Sequence, residues 1–131
     1  MRDKKPTGKV LAIDFDGVLH DKLHPVPGKR MGAPLPGAQE AMQELYDARH
    51  KLIIFTTMAT SPGGKQAVED WLDWYDIEYH EVTAIKPTAF VYVDDKAIRH
   101  TDWTDTMEQL NELGVQAWKP TITKTSRTYA T

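Results

Sequence analysis

The chain reads as a three-layer α/β domain on a mostly parallel sheet of about five strands. Three observations predict this class. Short apolar runs recur at 10–13 ("VLAI"), 51–57 ("KLIIFTT") and 89–95 ("AFVYVDD"), as in strands buried on both faces. The segments between them carry apolar residues at helical spacing. Strands that alternate with helices imply right-handed crossovers, and therefore parallel neighbours.

Each element has its own signature. Val10 to Ile13 forms the first strand. In "PGAQEAMQELYDARHK", 36–51, Ala38, Met42, Leu45 and Tyr46 share one helical face, and Pro36 suits a first-turn position. "KLIIFTT" is the second strand. In "SPGGKQAVEDWLDWYDI", 61–77, Val68, Trp71, Leu72 and Tyr75 step by three and four, predicting a second amphipathic helix with Trp71 in the core. Glu69, Asp70 and Asp73 form its solvated face. "EYHEV" at 78–82 is a weaker strand, and "AFVYVDD" a stronger one. "DTMEQLNELG", 105–114, predicts a helix that Asp105 and Glu108 cap as a box and Gly114 terminates. "VQAW" at 115–118 suits a last edge strand. His50, His80 and His100 show no ligand spacing.

Length and composition bound the function. The 131 residues suit a single domain over 1–131, with a core at about 9–118 and a polar, Thr-rich tail at 119–131 that is expected to be poorly ordered. The net charge of −3 gives no basic footprint for nucleic acid. There is no cysteine, hence no disulfide and no thiolate ligand or nucleophile. No apolar run approaches the ~20 residues of a membrane span. The basic start, "MRDKKPTGKV", lacks the apolar stretch of a signal peptide. A soluble cytoplasmic protein is expected.

In parallel α/β sheets, ligands bind beyond the carboxyl ends of the strands. Those ends supply Asp14 and Asp16, then Thr56 and Thr57, then Asp94 and Asp95, with Lys86 just before the last strand. Four carboxylates packed together repel one another unless a cation is present. An oxygen-rich, cysteine-free cluster suits Mg²⁺.

These motifs resemble the haloacid dehalogenase superfamily of phosphohydrolases. "IDFDGV" resembles its first motif, "LIIFT" its second, Lys86 in "IKPTA" its third and "VYVDD" its fourth, in order over about residues 9–100. The resemblance implies a Rossmann-like domain and a Mg²⁺-dependent phosphomonoesterase. It implies that Asp14 is the nucleophile, forming an aspartyl phosphate. Asp16 would protonate the leaving group and then activate water. Asp14, the Asp16 backbone carbonyl and Asp94 would hold Mg²⁺, with Asp95 acting through a water or by orienting Lys86. Thr56 would hydrogen-bond a phosphoryl oxygen, and Lys86 would offset the negative charge. An acid at Asp16 favours phosphoryl chemistry over dehalogenation.

Roughly forty positions separate Asp16 from Thr56, and about thirty separate Thr56 from Lys86. One helix and a short connection nearly fill each interval, so neither common insertion point holds a cap. A mutase would be expected to carry one. The site is expected to be open unless a partner subunit, in a homo-oligomer, covers it. Two other readings fit less well. An EF-hand loop beginning at Asp14 would need glycine at its sixth position and glutamate at its twelfth, but Gly17 falls at the fourth and Pro25 at the twelfth. A response-regulator receiver would place adjacent acids first and an aspartate centrally, where this chain has Asp-x-Asp and Thr56.

Substrate determinants are less legible. "HDKLHPVPGKRMGAPLP", 20–36, follows the first motif, and in the family this region forms a flap over the site. His20, Lys22, His24, Lys29 and Arg30 stand where they contact a leaving group or simply form a solvated loop. "SPGGK" at 61–65 resembles a phosphate-cradling loop without the full Walker spacing, leaving Lys65 as a phosphate contact or a solvated helix start. Thr57 is a further substrate candidate. The expected substrate is a small phosphorylated metabolite, a nucleotide or sugar phosphate. The alternatives are a terminal 3′ phosphate on nucleic acid, or a phosphate- and Mg²⁺-binding module without catalysis.

Overall fold

The computed structural model describes residues 5–115. These described residues divide after Asp95 into two compact units. Among the described residues, no helix is long and apolar enough to cross a membrane.

The first unit holds a four-stranded parallel sheet. Strands β1 (Val10–Asp14), β4 (Lys51–Phe55), β5 (Glu81–Thr83) and β6 (Val91–Val93) lie in the order β5-β4-β1-β6. Strands β1 and β4 are buried on both faces, as their unbroken apolar runs require: Ala12 and Ile53 are buried along with Leu11, Ile13, Leu52 and Ile54. Helix α1 (Ala38–Asp47) carries the chain from β1 to β4, and α2 (Gly64–Trp74) from β4 to β5. Parallel crossovers are right-handed, so two steps in one direction put both helices on one face of the sheet. Met42 and Tyr46 of α1 and Val68, Trp71 and Leu72 of α2 fill the core beneath Phe15, Leu52 and Ile54. Tyr75 packs partly buried against them, whereas Trp74 is exposed.

Several boundaries differ from expectation. Helix α1 begins at Ala38 behind Gly37 as N-cap, so Pro36 lies outside it. Helices α1 and α2 end without glycine, on Arg49 and Asp76 at positive φ. In both, the next residue's N–H closes the last turn: His50 donates to the Leu45 carbonyl and Ile77 to that of Leu72. Strand β5 is three residues long and starts at Glu81. The connection 84–90 from β5 to β6 contains no helix, and β6 pairs with β1 alone. Its residues Val91, Tyr92 and Val93 are therefore more than a third exposed, not buried as the apolar run suggests.

Residues 20–34 form an antiparallel hairpin of β2 (His20–Pro25) and β3 (Gly32–Pro34). Its tip is a turn in which the Lys29 N–H donates to the Val26 carbonyl at 2.8 Å. Pro27 pre-sets the first central position, and Gly28, at φ 79°, takes the left-handed second one.

The second unit contributes α3 (Trp103–Glu112). Its N-cap is Asp102, whose carboxylate accepts from the Asp105 N–H, so the cap lies one turn earlier than the predicted Asp105 box. Gly114 terminates the helix as expected, with the Val115 N–H donating to the Leu110 carbonyl. Beyond Val115, the strand expected over 115–118 and the tail 119–131 lie outside the described residues.

Candidate functional site

The strand order reverses at β1. Strands β4 and β5 build to one side of it, and the chain then crosses back to add β6 on the other. The carboxyl ends of β1 and β6 thus mark the switch point, the place where open α/β sheets bind ligands. Strand register puts acids there. Ile13 pairs with Val93, and one step further brings Asp14 level with Asp94 on strands ~4.8 Å apart. Oxygens of Asp14, Asp94 and Asp95 all lie within 4.8 Å of one another.

Asp14 bears the strain of that crowding. Partial burial, then the charge of Asp94, lifts its pKa from an ordinary 3.8 to about 6, with smaller contributions from Asp95 and Asp16. The Phe15 N–H, donating to Asp14 Oδ1 at 3.0 Å, works the other way. Three mutually repelling carboxylates with only oxygen donors fit a hard divalent cation, which would relieve the repulsion.

Asp16 belongs to a different environment. After Phe15, which is fully buried, the chain turns at Gly17 (φ 79°) and the Gly17 N–H donates to the His20 carbonyl. The turn carries the Asp16 carboxylate to His20, whose Nε2 lies 2.6 Å from Oδ1. The Thr56 hydroxyl donates to Asp16 Oδ2 at 3.3 Å. Asp16 is absent from the three-carboxylate group although it is two residues from Asp14. One aspartate faces the acidic cluster, and the other is held by His20 and Thr56.

Thr56 is 1% exposed: besides donating to Asp16, its hydroxyl accepts from the Met58 N–H at 3.2 Å and caps the 3₁₀ turn Thr57–Thr60. Thr57 is exposed, and its carbonyl accepts from the Thr60 hydroxyl. Lys86 places its ammonium 4.6 Å over the Tyr92 ring. Lys65 is exposed at the start of α2. The glycines before it serve the fold: a Cβ on Gly64 would lie 1.7 Å from the Met58 carbonyl oxygen. An ammonium that does reach the cluster comes from the hairpin, where Lys22 Nζ lies 2.9 Å from Asp95 Oδ2. Of the other hairpin candidates, His24 pairs with Asp21, and Lys29 and Arg30 are exposed at the tip.

Fold and site together define a small parallel α/β domain with a cluster of carboxylates at its switch point. No family model matches the chain, and no curated protein matches it. A solved structure with a similar fold is that of a conserved protein from Bacteroides thetaiotaomicron, 21% identical, with a TM-score of 0.53 over 82% of this chain and 93% of that one. At that identity the likeness shows the fold alone.

Proposed function

We propose that the chain is a Mg²⁺-dependent phosphomonoesterase of the haloacid dehalogenase type, acting on a small phosphorylated metabolite. The observation that carries this reading is the division of labour between the two aspartates. Asp14 lies with Asp94 and Asp95, while Asp16 is turned to His20 and Thr56.

In this reading the Asp14 carboxylate attacks phosphorus, and the bond from phosphorus to the ester oxygen breaks. Asp16 supplies the proton that the leaving oxygen takes up. The now ionised Asp16 then removes a proton from water, which displaces phosphate from the aspartyl phosphate and regenerates Asp14. Asp14, Asp94 and Asp95 are the residues that would hold Mg²⁺, which offsets the negative charge of cluster and phosphate. Lys22, at Asp95, adds positive charge for the phosphoryl group.

The test is phosphate release from nucleoside monophosphates, sugar phosphates and 3′-phosphorylated oligonucleotides, with Mg²⁺ and with chelator. Release from metabolites that chelator abolishes and Mg²⁺ restores is expected. Preference for oligonucleotide ends would move the substrate to nucleic acid. Full activity in chelator contradicts the metal site, and no release from any ester contradicts catalysis.

A further inference from the structure

We infer that His20 is the positioning residue that aims Asp16 at the leaving group, a role that rests on the phosphatase reading and extends it to a residue outside the four motifs. His20 opens β2 and is 2% exposed. Its Nδ1 lies 3.1 Å from the backbone nitrogen of Gly32 on β3. A backbone N–H only donates, so Nδ1 accepts and the ring proton sits on Nε2. That proton is donated to Asp16 Oδ1 at 2.6 Å. With Thr56 on Oδ2, both oxygens of Asp16 are tethered and the carboxylate plane is set.

The ring is itself held in place. Phe15 packs against it with centroids 4.6 Å apart, and Trp71 of α2 lies edge-on at 6.1 Å. The Trp71 indole N–H donates to the Gly32 carbonyl at 2.9 Å, tying the helix to the strand that orients His20. Gly32 is required there, since a Cβ would lie 2.0 Å from the Asp21 carbonyl oxygen. A hydrogen-bonded chain thus runs from α2 through the hairpin to Asp16. A neutral donor suits its end, because it holds Asp16 apart from Asp14, Asp94 and Asp95 without adding charge to the site. Placement within a fraction of an ångström governs proton-transfer rates, so loss of this tether acts on the chemical step.

A buried histidine that merely satisfies its neighbours would affect stability alone. His20→Phe keeps the packing and deletes the donor, whereas His20→Gln keeps a donor near the Nε2 position. Both are compared with wild type on an alkyl and an aryl phosphate, with folding checked by circular dichroism. The expected result for His20→Phe is a loss of about tenfold or more in kcat on the alkyl ester. KM should change little, and the loss in first-turnover phenol release from the aryl ester should be far smaller. His20→Gln should recover most of the loss. A readout independent of turnover is the ring ¹⁵N NMR spectrum: the Nε2–H tautomer is expected, with a slowly exchanging proton that exchanges faster in Asp16→Ala. Wild-type rates in folded His20→Phe, equal losses on both esters, or an Nδ1–H tautomer would overturn the positioning role alone. A folded wild-type chain inert toward both esters would overturn the phosphatase reading and the role with it.

Discussion

Replacing Asp14 by Asn measures how far the crowded cluster works against the fold. The amide keeps the shape and can still accept from the Phe15 N–H, so the change is chiefly one of charge. Folding raises the Asp14 pKa from 3.8 to about 6, so the folded chain favours the protonated acid. Ionising Asp14 therefore lowers stability. The penalty is absent below pH 3.8, grows as pH rises between the two values, and is complete above about pH 7. At ~1.4 kcal/mol per tenfold change in the ionisation constant, the displacement is worth ~3 kcal/mol in a dry site. Asp14 is partly open to water, and screening brings this to ~1–2 kcal/mol. Urea unfolding in chelator at pH 7.5 should show Asp14→Asn more stable than wild type by that amount, equivalent to roughly 3–8 °C in Tm for a chain of this size. Near pH 4 the gain should nearly vanish. Saturating Mg²⁺ should reverse the order, because wild type then gains binding-linked stability that the variant lacks. A variant no more stable than wild type at pH 7.5, or a gain of the same size at pH 4, would show that ionised Asp14 does not oppose folding.

Three further substitutions probe separate contacts. Gly17→Ala forces a side chain into φ 79° and puts its Cβ 2.5 Å from Asp95 Oδ2 and 2.9 Å from Lys22 Nζ. It should destabilise by ~1–2 kcal/mol in chemical denaturation and reduce phosphate release well beyond that loss, because the two groups that must move belong to the site. Lys22→Met removes the cation paired with Asp95; stability should change by less than ~1 kcal/mol, while calorimetric titration should show tighter Mg²⁺ binding, because a competing charge is gone. Arg49→Gly relieves a left-handed φ of 70° at the end of α1 and should stabilise by ~0.5–1 kcal/mol in urea unfolding.

The parts of the fold that were legible in the sequence are those where burial leaves a periodic trace. Strands β1 and β4 read as unbroken apolar runs, and α2 shows its core face in Val68, Trp71 and Leu72. Gly114 marks the end of α3 because its left-handed turn has a compositional signature. The ends of α1 and α2 do not, since Arg49 and Asp76 take the same conformation without one. The β2–β3 hairpin leaves no alternation, because Asp21, Lys22, Leu23 and His24 of β2 are not buried; only "VPGK" at its tip betrays it. The site was half legible for the same reason. Asp14, Asp94 and Asp95 follow from strand ends and register. The contacts of His20 and Lys22 depend on a hairpin that folds back over the turn at Gly17, which strand order alone does not place.

The most direct measurement is acid-quenched mass spectrometry of the chain after brief exposure to an aryl phosphate and Mg²⁺. A gain of one phosphoryl group is expected, labile to hydroxylamine, localised to the peptide carrying Asp14 and absent from Asp14→Asn and from chelator-treated protein. Phosphate release with no such adduct in Asp16→Asn, where its hydrolysis should be slowed, or an adduct on another residue, would contradict it.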